Sequence, residues 1–148
     1  MIALACDHGG FNLMKDVISF LDSKKYDCWN FGTLYPESCD YPTIVVPAVN
    51  AIANNECERG ILICGTGIGC SIAANKIRGI RAALCTDCYM AEMARKHNDA
   101  NVLVLGARVV DPALAVKIVK SFLTTDFSED ERHIRRIAML SELDNSRK

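Results

Sequence analysis

Five short strand-like runs, at 2–6, 27–31, 60–64, 81–85 and 102–105, recur along the chain with helical patterns between them. Strands separated by connections of this length pair in parallel, because the crossover uses up the intervening helix, and a parallel sheet is stable only when both faces are covered. The alternation therefore predicts an α/β fold, a parallel five-stranded sheet with helices on both faces. The helices are expected near 11–24, 43–54, 70–77, 87–96 and 112–124, with a final one near 130–143. Asp111-Pro112 marks one start sharply, with aspartate as the cap and proline at the first helical position. At 148 residues the chain fills one core and is too short for two ordinary domains, so 1–148 is expected to be a single domain.

A formal charge of −1 supplies no basic field for nucleic acid or an anionic membrane, so any anion must be held by local groups. The eight cysteines follow an amino terminus, Met1-Ile-Ala-Leu-Ala-Cys6, with no signal-peptide pattern, which favours a reducing cytoplasm over a disulfide framework. No apolar run approaches the ~20 residues of a spanning helix, so a soluble protein is expected.

In open α/β sheets, ligands collect beyond the carboxyl ends of the strands. The residues just past each run are Asp7-His8-Gly9-Gly10, Gly32-Thr33 with the later Cys39-Asp40-Tyr41-Pro42, the loop after Cys64, Thr86-Asp87-Cys88, and Gly106-Ala107-Arg108. Acid, imidazole, thiol, hydroxyl and guanidinium groups thus converge on one edge. The richest segment is Cys64-Gly-Thr-Gly-Ile-Gly-Cys70-Ser-Ile-Ala-Ala-Asn-Lys76. Its glycines allow close ligand approach, and the amides from Gly65 through Ser71, with the helix end behind them, are expected to face an anion and favour the Cys64 thiolate. A dinucleotide site fits less well, because Cys70 stands where that fingerprint wants its last glycine.

Other segments have two readings. Asp7 can act as an acid–base group or as a helix cap. Cys85-Thr-Asp-Cys88 can be a redox or zinc pair, though chance adjacency accounts for it better in a chain this rich in cysteine. His97 and Asn98 can form a polar helix end or project over the same strand edge as Cys64. Arg132 and Arg136, four apart on the last helix, share a face that is either merely solvated or able to grip a phosphate.

The ordered set Cys-Asp-His-Gly-Gly near the start, Asp40-Tyr-Pro, the Cys64 loop, Ala73-Ala-Asn-Lys, Gly79-Ile-Arg-Ala, Arg95-Lys-His-Asn-Asp, Leu105-Gly-Ala-Arg and Glu131-Arg-His resembles the ribose-5-phosphate isomerase B family over nearly the whole chain. The resemblance implies a Rossmann-like three-layer α/β/α sandwich with a C-terminal helix. It also implies a homodimer or dimer of dimers with shared active sites, and an aldose–ketose isomerase of the pentose phosphate pathway that uses no metal or organic cofactor. Carried over by position, it makes Cys64 the base, Thr66 its neighbouring hydroxyl, His97 the ring-opening group and Asp7 an assistant in proton movement. His8, Arg108, Arg132 and Arg136 become phosphate ligands, the last two from the partner subunit. Tyr41 and Asn98 line the sugar site with Gly65, Gly67, Gly69, Cys70 and Ser71. In another branch a glutamate base stands at the position of Cys70; with cysteine at both positions here, Cys64 is the expected base and Cys70 a packing residue. An isomerase of a six-carbon sugar phosphate, such as allose or galactose 6-phosphate, and a non-catalytic phosphate-binding module are the alternatives.

Overall fold

The computed structural model describes residues 1–147. The elements follow in the order β1 (Ile2–Cys6), a 3-10 turn (His8–Gly10), α1 (Phe11–Ser23), β2 (Cys28–Asn30), α2 (Tyr41–Ala53), β3 (Arg59–Cys64), α3 (Ile68–Ala74), β4 (Ala82–Leu84), α4 (Cys88–Asn98), β5 (Val102–Gly106), α5 (Pro112–Thr124) and α6 (Glu131–Asn145). All strands are parallel, in the order β2-β1-β3-β5-β4. The three central strands are almost wholly buried; the edge strands β2 and β4 keep only three residues each, shorter than the runs at 27–31 and 81–85, since each has a partner on one side only.

Alternation along the strands divides the core in two. Ile2, Leu4, Ile61, Ile63, Leu103 and Leu105 point to one face and pack with Leu13, Val17 and Leu21 of α1, Ala91 of α4, and Ile118 and Phe122 of α5. Ala3, Ala5, Leu62, Val102 and Val104 point to the other, against Val45, Val49 and Ile52 of α2 and Cys70 and Ala74 of α3. The result is the expected three-layer sandwich. Helix α6 belongs to neither layer; it leans on α4, and His133 is its buried residue.

The first connection is tight. A methyl group on Gly10 would lie 2.5 Å from the Ile63 carbonyl oxygen and 2.7 Å from its carbonyl carbon, and backbone of a central strand cannot yield. Gly10→Ala is therefore expected to cost about 1–3 kcal/mol. At roughly 2–4 °C per kcal/mol for a chain of this size, a thermal melt should record a loss of several degrees.

Candidate active site in two halves

Strands β1 and β3 are neighbours although β2 lies between them in sequence, so the chain reverses direction across the sheet at this point, where open α/β sheets leave a crevice. Cys6 pairs with Ile63, and Cys64 with Gly106, so the loops after β1, β3 and β5 emerge side by side. They are in contact. A methyl on Gly9 would stand 3.2 Å from the Gly65 amide nitrogen, and one on Gly65 would stand 3.0 Å from the Arg108 guanidinium. The Arg108 amide donates to the Gly65 carbonyl at 2.9 Å. Across the loop, the Tyr41 ring packs against Gly69, leaving 2.7 Å for a side chain there. Gly67 has φ +81°, a left-handed turn, and its open side is closed by Leu84 and the backbone of Leu105 and Gly106, so glycine alone fits.

Buried Asp7 accepts from the Gly10 amide at 3.1 Å, so the capping reading of this residue holds, with its carboxylate at the crevice wall. Exposed His8 receives the Cys39 amide on Nδ1 at 3.3 Å. In the neutral ring that bond puts the proton on Nε2, which is then a donor to solvent or ligand. Exposed Thr66 accepts the Ile68 amide on Oγ1 at 3.3 Å and keeps its own proton to donate.

Cys64 is 5% exposed, and its sulfur accepts the Gly67 amide at 3.2 Å. The fully buried Cys70 side chain is the chief reason that the Cys64 pKa falls to about 6 despite the opposing effect of burial; the Cys70 and Gly67 amides add to the fall. The Gly67 amide is the donor of defined geometry, and the Cys70 contribution is a thiol-to-thiolate interaction. Cys70 is pushed far up by its interaction with Cys64 and by burial. The two thiols are thus pushed in opposite directions, Cys64 down and Cys70 up. The expectation that the loop amides all face a ligand needs correcting: the Gly67 amide turns inward to sulfur, and the Ser71 amide donates to the Gly67 carbonyl at 3.0 Å as α3 begins. The thiolate is favoured by these contacts more than by the dipole of α3, which is only seven residues long.

His97 and Asn98 do not project over this edge. Helix α4 returns antiparallel to the strands, so its last turn lies at the amino edge of the sheet, just before β5 begins at Val102. Cys64 pairs with Gly106 at the far end of β5, about 13 Å along the strand from Val102. Of the two readings of this segment, the polar helix end holds within one chain and projection over the Cys64 edge does not. A polar turn fastens this second half: Arg81 Nε donates to the Asn98 carbonyl at 2.9 Å, and Arg95 to the Asp99 carboxylate at 2.9 Å.

The His97 ring stacks on His133 of α6, with centroids 4.4 Å apart and planes 18° from parallel. Burial first, and the adjoining His97 next, hold His133 below the usual histidine range. The sequence reading gave His133 no role, although its place between exposed Arg132 and Arg136 marks the one inward position of that helical turn. Arg132 lies 3.7 Å from Asp130, and both arginines face outward. Cys85, fully buried, has its thiol pushed to about 12 by burial, and Cys88 is a separate free thiol, in line with chance adjacency. Among the described residues no group of three or more His, Cys, Asp or Glu side chains could hold a metal ion.

A family model described as Ribose/Galactose Isomerase matches residues 2–140. The chain is 43% identical to the "Ribose-5-P isomerase B" of Listeria innocua, over 97% of this chain and 96% of that protein. It is 40% identical to a "D-erythrulose-4-phosphate isomerase" of Pectobacterium atrosepticum, over 85% of this chain and 84% of the relative. The solved structure of Clostridium thermocellum ribose-5-phosphate isomerase B superposes with a TM-score of 0.95 at 48% identity, covering 97% of each chain.

Proposed function

The chain belongs to the ribose/galactose isomerase family, and from that membership and the two half-sites we propose that it interconverts D-ribose 5-phosphate and D-ribulose 5-phosphate. The observation that carries the mechanism is the Cys64 sulfur, held as an acceptor by the Gly67 amide where the loops after β1 and β3 meet, with its pKa lowered to about 6. An aldose C–H next to a carbonyl is a weak acid, and a base poised near neutrality removes its proton best. Cys64 takes the proton from C2, the electrons move to the C1 oxygen as an enediolate, and the same sulfur returns the proton to C1. The neighbouring Gly65 and Thr66 amides and the Thr66 hydroxyl are our choice of donors for that oxygen. Asp7 helps to move protons between the substrate oxygens, and Tyr41, Gly69 and Ser71 line the sugar. His8 and Arg108 hold the phosphate, which does not react but fixes the pose.

Before that step the sugar ring must open, which calls for an acid–base group at the ring oxygen, and His97 has the chemistry for it. Its position at the opposite edge of the sheet is the reason for the next part of the proposal: the carboxyl edge of one subunit is completed by His97, Asn98, Arg132 and Arg136 of a second copy. The enzyme is then a homodimer with two equivalent shared sites. Apolar side chains exposed beside both halves, Ile68 and Ile72 on α3 and Ile134, Leu140 and Leu143 on α6, supply surface for such an interface. His133, stacked behind His97, keeps that ring in one orientation. We assign the enzyme to the pentose phosphate pathway and, because its base is a free thiolate, to the reducing cytoplasm.

Purified protein is expected to interconvert the two pentose phosphates in the presence of a chelator; absence of turnover there would refute the assignment. Likeness to a tetrulose-phosphate isomerase favours, as a second reading, a sugar phosphate one carbon shorter. A panel of four-, five- and six-carbon aldose phosphates separates these readings, with the highest kcat/KM expected for ribose 5-phosphate.

A further inference from the structure

Asn75 and Arg81 stand in two blocks of the sequence, Ala73-Ala-Asn-Lys76 and Gly79-Ile-Arg-Ala82, to which the reaction gives no part. The fold joins them at the start of β4. The Asn75 side chain closes a two-bond ring on Ala82, donating to its carbonyl at 3.0 Å and accepting its amide at 2.9 Å. One residue earlier, Asn101 Oδ1 accepts the Arg81 amide at 2.8 Å, and Asn101 Nδ2 donates to the Gly79 carbonyl at 2.8 Å. Two carboxamides thus fix the backbone on both sides of the Arg81 Cα, and pairing with β5 takes over from Ala82 onward.

From that mount the Arg81 side chain crosses to the end of α4. Its Nε donates to the Asn98 carbonyl at 2.9 Å and to the Asp99 carbonyl at 3.2 Å. Its Nη2 donates to the Asp99 carbonyl at 2.9 Å and lies 3.6 Å from the Asp99 carboxylate. Carbonyls at a helix end have no partner within the helix, so outside donors decide whether the last turn stays closed. Asp99 ends α4 in the left-handed region, at φ +43°, which side chains disfavour. Its carboxylate is held from the other side by Arg95 at 2.9 Å. The Arg81 fork therefore grips two successive carbonyls of a turn that local preference alone would not keep.

We propose that Arg81 is a positioning residue of the ring-opening half-site: its guanidinium keeps the last turn of α4 from fraying and so holds His97 and Asn98 where a second subunit's crevice meets them. His133 supports the His97 ring by stacking, and Arg81 supports the backbone that carries it. Only 25% of the Arg81 side chain is exposed, which shields these bonds from water. The planar fork is what the role requires. A lysine ammonium is drawn equally to the negative end of the helix, but as a point charge it cannot engage two carbonyls in a fixed geometry. Moving a reacting group by about 1 Å can cost about 10²-fold in rate, so a turn that opens part of the time is felt at the ring oxygen.

The role rests on His97 being the ring-opening group, but the clamp itself does not, so the clamp is read by amide exchange and its purpose by rate. The Asp99 and Ala100 amides bond to the Arg95 and Ala94 carbonyls. In Arg81→Ala these two amides should exchange with deuterated solvent about tenfold faster, while the β5 amides from Leu103 onward keep their wild-type rates. Assayed well below its melting midpoint, the same variant should lose about tenfold in kcat/KM with ribose 5-phosphate and no more than about threefold with ribulose 5-phosphate, which has no such ring to open. A smaller folded fraction would instead lower both by one factor. Arg81→Lys keeps the charge and should show the same quickened exchange and the same asymmetry; it carries both readings if the alanine variant does not fold. Unchanged exchange, equal losses in the two directions, or full recovery with lysine would overturn the proposal. If exchange quickens in a protein whose wild type shows no isomerase activity, the clamp stands as a purely structural one, and the assigned reaction fails together with the purpose given to Arg81.

Discussion

Replacing Cys64 with alanine is expected to lower kcat for pentose phosphate interconversion by about 10²–10⁴-fold, the usual worth of a positioned acid–base group. KM should change little, because the proposed phosphate ligands, His8, Arg108 and the arginines of α6, would bind a part of the substrate that does not react. Exchange of the C2 hydrogen with solvent deuterium should disappear with turnover. The pH profile supplies an independent check. Only the thiolate can accept the proton, so kcat/KM in the wild type should rise with pH through about 6 and then level off. Falling pH protonates Cys64 and removes the base. Because the Cys70 thiol is the largest cause of the low value, Cys70→Ala should move that rise to higher pH, whereas a Cys70 that merely packs would leave it in place.

His97→Ala is expected to act unequally on the two directions of the reaction. D-Ribose 5-phosphate is mainly a five-membered ring closed through O4, and the ring must open before C2 becomes acidic. D-Ribulose 5-phosphate cannot close such a ring, since its O5 carries the phosphate. Loss of the ring-opening group should therefore slow the ribose direction by about 10²-fold while slowing the ribulose direction by roughly tenfold at most, the open aldehyde being released to close in water. Coupled assays in both directions read the asymmetry. Equal losses would make His97 a general structural or binding residue. His133→Ala, which removes the stacked support, should follow the same asymmetry to a smaller extent.

Most of the architecture is legible in the residue pattern because central parallel strands are continuous apolar runs: β1 at 2–6 and α5 at 112–124 have the expected bounds, the latter through Asp111 and Pro112. Edge strands are less legible, since the residues at 27, 31, 81 and 85 look strand-like but lack neighbours on one side. The loop of the candidate site could be located from its glycines and thiols, yet the inward turn of the Gly67 amide onto the Cys64 sulfur depends on how far the loop turns back, which spacing does not encode. His97 shows a different kind of gap. Its chemistry was readable, but its edge follows from helix direction: a helix that follows a parallel strand ends where the strands begin, so a group in its last turn sits opposite to one at a strand's carboxyl end. That reversal is the physical reason for proposing a shared site.

Co-expression of Cys64→Ala and His97→Ala chains with different tags, followed by isolation of the heterodimer, tests this arrangement most directly. With sites shared in trans, one of the two sites in each heterodimer receives an intact Cys64 from one subunit and an intact His97 from the other, while its twin lacks both. The heterodimer should then turn over ribose 5-phosphate at about half the wild-type rate per dimer, with each variant homodimer nearly inactive in that direction. A heterodimer no more active than its two parents would contradict a site built from opposite edges of two sheets.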